Sequence, residues 1–286
     1  MNLDQLKKEL KKKNPEAQKN KRRRVLLLAL SFLAVCSIAI ALTFAYRSYD
    51  QTAPERLFSK GLTFESQACP EQALASYERL FGNYSESVLA PEALFRAGRI
   101  CRFDLRQDQK ALFFFLQLEH DYPESDYVAA AQLEAAELTK YRLRDFAQAI
   151  VVYQRLLDNG PRDGDLILYE IADCYFRLNN FSQTRIELDT LLERYPNSPL
   201  RPEALYRRAN ALLLDEKKKE ARTGFQDLID GFPQSSYALE AKFSLAELLE
   251  DEERLKDALN AYQKMTDYPR QELLQEKIER LNERIA

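Results

Sequence analysis

The nine residues Ala90-Pro91-Glu92-Ala93-Leu94-Phe95-Arg96-Ala97-Gly98 recur along the chain. Ala53-Pro-Glu-Arg-Leu-Phe-Ser-Lys-Gly61 is one echo, and Arg201-Pro-Glu-Ala-Leu-Tyr-Arg-Arg-Ala209 is another. Working outward, Phe58, Phe95, Leu133, Tyr169, Tyr206 and Phe243 hold one equivalent position at spacings of 37, 38, 36, 37 and 37 residues. A small residue follows each by three: Gly61, Gly98, Ala136, Ala172, Ala209 and Ala246. Self-similarity at such a period predicts stacked supersecondary units, each unable to bury its apolar face alone.

The second half of each unit carries its own signature. Ala73/Tyr77/Leu80, Ala111/Phe115/Leu118, Ala149/Tyr153/Leu156, Ala221/Phe225/Leu228 and Ala258/Tyr262/Met265 share offsets of four and then three. Thr184/Leu188/Leu191 keeps the spacing but replaces the small and aromatic members. Those offsets place the three residues on one helical face. Units end at Tyr122-Pro123, Gly160-Pro161, Tyr195-Pro196, Phe232-Pro233 and Tyr268-Pro269, where proline cannot continue a helix. Ser125, Ser198 and Ser235 follow as capping residues for the next helix. Only 7 Gly among 286 residues, with many Ala, Leu, Glu, Lys, Gln and Arg, agrees with an all-α chain.

These motifs resemble the tetratricopeptide repeat (TPR), a helix–turn–helix usually 34 residues long. The terminal Pro, the small residues and the Ala–aromatic second helix carry the likeness over residues 53–270. The short Tyr-Pro-x-Ser turns are similar to those of bacterial envelope TPR proteins. Two such types are the lipoprotein of the outer-membrane assembly machine and the periplasmic coordinator of the Tol-Pal system. The resemblance implies a right-handed solenoid of six hairpins over 53–268, with first helices lining a concave groove that binds proteins or peptides.

Candidate groove residues are Phe58, Phe95, Leu133, Tyr169, Tyr206 and Phe243, with Arg99, Arg102, Asp173, Asn210, Glu247 and Glu250 as polar neighbours. Two readings of the large-residue stripe stand side by side: it lines the groove, or it packs between helices. Residues 269–286 form a last amphipathic helix with Leu274, Ile278, Leu281 and Ile285 on one face. Its expected role is to cap the stack; a partner-binding or dimerising helix is the alternative.

Residues 25–46, VLLLALSFLAVCSIAIALTFAY, contain no charge. Roughly 20 apolar residues span a bilayer as a helix. Residues 1–24 hold ten Lys/Arg against three acids, a charge of +7. The remainder of the chain, whose total is −3, therefore carries −10. Arg22, Arg23 and Arg24 abut the apolar run, so the basic tail is expected in the cytoplasm and the repeats beyond the inner membrane, after a linker at 47–52. An uncleaved signal anchor is the leading reading. Cleavage near Ala39-Ile40-Ala41 and lipid modification of Cys36 are the alternatives.

An acidic repeat region is a poor partner for nucleic acid. Neither a nucleotide loop, a zinc spacing nor a nucleophile motif occurs, so no catalytic residue, cofactor or metal is expected, and His120 beside Asp121 reads as solvated. Cys69 and Cys101, on helices expected to touch, are a candidate disulfide; buried free thiols are the alternative. The functional expectation is a membrane-anchored scaffold organising partner proteins on the periplasmic side. A chaperone-like holder of exported polypeptides near the translocon is the second reading. Nothing in the pattern specifies an oligomeric state.

Overall fold

The computed structural model describes residues 3–12, 32–33, 35–39 and 51–286. Every regular element among them is helical. The expected membrane span 25–46 falls outside the described residues except at 32–33 and 35–39, as does most of the basic tail. Among the described residues no helix is long and apolar enough to cross a membrane. The chain divides into two compact units, residues 1–93 and 94–286, the division falling inside one helix, Ala90–Arg99.

The first unit contains α1 (Leu3–Lys12) and the hairpin of α2 (Ala53–Ser66) and α3 (Pro70–Asn83). Proline opens both hairpin helices, at the one turn where its missing N–H costs nothing. Gly61 lies directly against the Tyr77 ring, so a Cβ there would run into it. Phe58 leans on the same ring at a centroid separation of 5.7 Å. The small-residue position thus exists to admit the aromatic of the second helix.

The second unit repeats this plan. Its helices are α4 (Ala90–Arg99), α5 (Asp108–Asp121), α6 (Val128–Glu137), α7 (Phe146–Asp158), α8 (Gly164–Arg177) and α9 (Phe181–Arg194). They continue as α10 (Arg201–Leu214), α11 (Lys218–Gly231), α12 (Ser236–Asp251), α13 (Leu255–Gln263) and α14 (Gln271–Ile285). From repeat three onward each second helix packs on the first helix of its own repeat and on the element that follows. Phe115, Tyr153, Phe225 and Tyr262 are all fully buried at the same position, and Leu188 fills it in repeat four. Each such burial contributes roughly 1.5–3 kcal/mol.

Three of the inter-repeat turns share one build. Ser125, Ser198 and Ser235 donate their N–H to the carbonyls of Tyr122, Tyr195 and Phe232 at 3.0, 3.0 and 2.9 Å. Their hydroxyl oxygens accept from Tyr127, Leu200 and Tyr237, two residues on. Only Ser235 is the N-cap residue proper; the others close the turn just before it.

Repeats two and three each carry one residue more than the rest between the two signature positions: Phe95 to Ala111 and Leu133 to Ala149 are 16 apart, the others 15. The structure absorbs that residue as a π-helical turn, Ile100–Asp104 and Leu138–Leu143. The hairpin turn itself is then conserved. Ala68, Arg106, Arg144, Asn179, Glu216 and Glu253 each take the left-handed conformation there. The following N–H reaches back five residues in the regular repeats, as from Lys217 to Leu212 at 2.9 Å. In repeats two and three it reaches back six, from Gln107 to Cys101 and from Asp145 to Thr139. Helix register is thereby kept although chain length is not.

The C-terminal helix packs on repeat six. Leu274 and Leu281 are buried in one cluster with Phe243, Ala246, Ala258 and Tyr262, while Ile278 and Ile285 pack at its edge. The face carrying the glutamates and arginines stays outside.

Candidate functional site

The first helices of the second unit present their residues at one, four and seven places after the signature position to the neighbouring first helix. Repeat two offers Arg96, Arg99 and Arg102 there, and repeat three answers with Glu134 and Glu137. Arg102 donates to Glu134 and, at 3.0 Å, to Glu137. Repeat three adds Lys140, which is only 3% exposed. Its ammonium contacts Glu170 and lies 2.7 Å from Asp173, both in repeat four. Asp173 also accepts from Arg207 of repeat five, whose guanidinium sits 4.8 Å over the Tyr169 ring. Tyr169 in turn donates to Glu203. Opposite charges therefore link the first helices of repeats two to five.

This network is electrostatically self-consistent. Burial disfavours charge on Asp173, but the Lys140 hydrogen bond and the charges of Lys140 and Arg207 outweigh it and hold its pKa below the ordinary 3.8. Burial likewise disfavours the Lys140 ammonium, yet Asp173 and Glu170 hold its pKa above 10.5. Both groups are thus charged at neutral pH. Burial also pushes the Tyr141 phenol up to about 12, helped by its 2.8 Å hydrogen bond to Glu170.

The predicted groove residues divide into two sets. Tyr169 and Phe243 are buried, and Phe243 lies stacked on Tyr268 at 4.8 Å. Phe95 and Tyr206 are half-buried against Phe115 and Tyr127 and against Phe225 and Tyr237 respectively. For these residues packing takes most of the ring. Leu133, by contrast, is exposed and borders a cavity of ≈ 310 Å³. Tyr206 and Asn210 border another of ≈ 450 Å³, and Asp173 a third of ≈ 540 Å³.

The charged candidates are not open polar contacts. Glu250 accepts from Lys277 at 3.2 Å, Arg280 at 2.8 Å and Arg284 at 3.3 Å, and Glu247 meets Lys277 at 3.0 Å. They anchor the C-terminal helix. Arg99, with its side chain largely exposed, lies 3.8 Å from Glu134. Opposite signs at Arg99/Arg102 and Glu247/Glu250 are therefore neutralised locally.

Cys69 and Cys101 belong to different units, and neither is in a disulfide among the described residues: Cys69 is half-buried, its Sγ donating to the Gln67 carbonyl at 3.6 Å, and Cys101 is buried. His120 stands exposed, 2.8 Å from Asp121. Among the described residues no group of three or more His, Cys, Asp or Glu is arranged to hold a metal ion. The Lys140 network went unread in the sequence because a lysine within a polar run looks like solvated charge. Its signal was the extra residue that turns the end of that helix.

Comparison with known proteins agrees with the repeat assignment. Family models described as tetratricopeptide repeat match residues 141–209 and 203–235. Among solved structures, the C-terminal part of a TPR repeat-containing protein from Cytophaga hutchinsonii is similar at a TM-score of 0.58 and 15% identity. That match covers 82% of this chain and 90% of the other. A tetratricopeptide repeat protein from Parabacteroides merdae matches at a TM-score of 0.50 and 17% identity, covering 80% and 99%. These likenesses show the fold. No curated protein matches the chain.

Proposed function

We propose that this chain is a membrane-anchored TPR scaffold of the bacterial cell envelope. In this reading residues 25–46 hold it in the inner membrane, the basic tail stays in the cytoplasm, and the repeats bind and organise partner proteins or peptides on the periplasmic side. The TPR fold supports a protein-interaction role. The observation that carries it is the face of first helices in the second unit, where Leu133, Asp173, Tyr206 and Asn210 border three cavities. Concave sites lined by apolar groups with a few placed polar ones are the usual form of a binding site. The anchor rests on the uncharged run after Arg22-Arg23-Arg24 and its charge asymmetry.

A photo-crosslinking residue at Leu133 or Tyr206 of the full-length chain in bacterial cells should trap one or a few partners. The same residue at exposed Thr223, on a second helix, should not. Equal labelling from all three positions would remove the scaffold reading, and a broad smear of unfolded clients would favour the holder. Protease added to spheroplasts should digest the repeats if they face outward.

A further inference from the structure

The ≈ 310 Å³ cavity lies at the junction of repeats three and four, where large side chains found at sibling junctions are missing. Six residues before each signature position, repeats three and six carry Tyr127 and Tyr237, and repeats two and five carry Leu89 and Leu200. Tyr127 packs on Phe95 at 5.5 Å and Tyr237 on Tyr206 at 5.7 Å, so those junctions carry paired rings, the second pair itself bordering the ≈ 450 Å³ cavity. Between repeats three and four the corresponding residues are Leu133 and Asp163. An aliphatic side chain and a carboxylate leave the space unfilled. Leu133, Tyr141 and Leu166 are consequently 41%, 58% and 45% exposed around it, over a floor of Tyr153 and Leu156.

The mouth is acidic. Glu137, Asp163 and Glu170 border it, and two of them are already committed, Glu170 to Lys140 and Glu137 to Arg102. Asp163 makes no ion pair among the described residues, and although it holds the N-cap position of α8 its side chain makes no capping hydrogen bond. It stands where the sibling repeats place an apolar residue, so packing gains nothing from it. A cation arriving beside an apolar group would meet Asp163 at the rim and the face of Tyr141 alongside it, both favourable to positive charge.

Resting on the partner-binding reading above, we propose that this pocket receives an apolar side chain of a partner polypeptide, flanked by lysine or arginine. Charge complementarity selects that occupant, since an acidic flank would face Asp163, the rim carboxylate with no ion pair among the described residues, while a basic one would pair with it. The chain's own basic tail has the right composition, but under the anchored topology it lies across the membrane from the pocket.

The test uses the full-length protein in a neutral detergent and a fluorescein-labelled Lys-Lys-Phe-Lys-Lys peptide, read by anisotropy. Saturable binding is expected, lost when Glu replaces the lysines or Ser replaces Phe. Leu133→Phe, which restores the sibling ring, and Asp163→Asn should each weaken binding about tenfold or more. The thermal midpoint of both should stay unchanged. Should Leu133→Phe disturb folding, Asp163→Tyr fills the same space from the other side. No saturable binding by the unaltered chain overturns the proposal, as does undiminished binding by a folded, pocket-filled variant. A small apolar dye competing equally with peptides of either charge would also overturn it. Partner crosslinks from Tyr206 that survive Leu133→Phe would leave the scaffold standing while this pocket falls; absence of any partner crosslink would remove the scaffold itself.

Discussion

The Lys140 ammonium lies 2.7 Å from the Asp173 carboxylate, tying the first helices of repeats three and four together out of contact with water. Removing the lysine leaves the buried Asp173 and the half-buried Glu170 with less compensation. Lys140→Met should therefore cost about 3–5 kcal/mol, the usual penalty for breaking a buried pair from one side. Urea unfolding followed by circular dichroism measures it, and a loss below about 1 kcal/mol would show the network to be solvent-relaxed.

The same pair sets an acid limit. Asp173 has a folded pKa below its ordinary 3.8, so its contribution is present above the unfolded value and is lost as pH falls through the folded one. Lys140, with its pKa raised, contributes throughout that range and loses its share only above 10.5. The stability difference between the unaltered chain and Asp173→Asn should be flat from about pH 5 to neutrality and shrink below about pH 4. Denaturation midpoints of both proteins across pH 2.5–7 supply the comparison.

Glu250 gathers Lys277, Arg280 and Arg284, so one carboxylate holds three points of the C-terminal helix. Its side chain is largely enclosed, unlike most surface acids. Glu250→Ala should loosen that helix, with a loss of roughly 1–3 kcal/mol locally. Amide hydrogen exchange over 271–285 should rise while exchange in repeats two to four does not. Uniform acceleration would mean that the cap and stack unfold as one.

Phe113 and Phe115 are two residues apart on one helix and opposite in fate, 60% and 1% exposed. Phe115 also packs against Gly98 of the partner helix. Phe115→Ala should cost about 3–5 kcal/mol, whereas Phe113→Ser should stay within about 0.5 kcal/mol. Thermal unfolding of the two variants discriminates between them directly.

These contrasts show what the sequence made legible. The 36–38-residue period and the Ala–aromatic spacing were sufficient to locate the hairpins, because helix geometry leaves few other ways to bury such positions. Sequence spacing is one-dimensional, however, and the charge partners are not. Glu247 and Glu250 look like groove residues until Lys277 and the arginines of the last helix fold over them. Lys140 reads as surface charge, and only the turn of the π segment carries it inward. Leu133 stood in the stripe as one equivalent among aromatics and Asp163 was not singled out, because their meaning as an opening depends on the rings that pair at other junctions.

The π turns invite the last prediction. Repeats two and three hold an extra residue that their hairpin turns do not require, since the left-handed position and the closing hydrogen bond recur in every repeat. Deleting Phe103, which is exposed, should convert Ile100–Asp104 to ordinary α-helix and keep Ala111, Phe115 and Leu118 facing inward. Deleting Leu214, equally exposed but in a repeat with no residue to spare, cannot be absorbed that way. It would swing Ala221, Phe225 and Leu228 off the buried face by about 100°, the turn per residue of a 3.6-residue helix. The first deletion should leave cooperative unfolding with a midpoint near that of the unaltered chain. The second should lower it steeply or abolish it, because losing one buried aromatic alone costs about 3–5 kcal/mol. Equal damage from both would mean that the π turn is required by its repeat, with the side chains it displaces, Arg102 among them, held in place by the bulge.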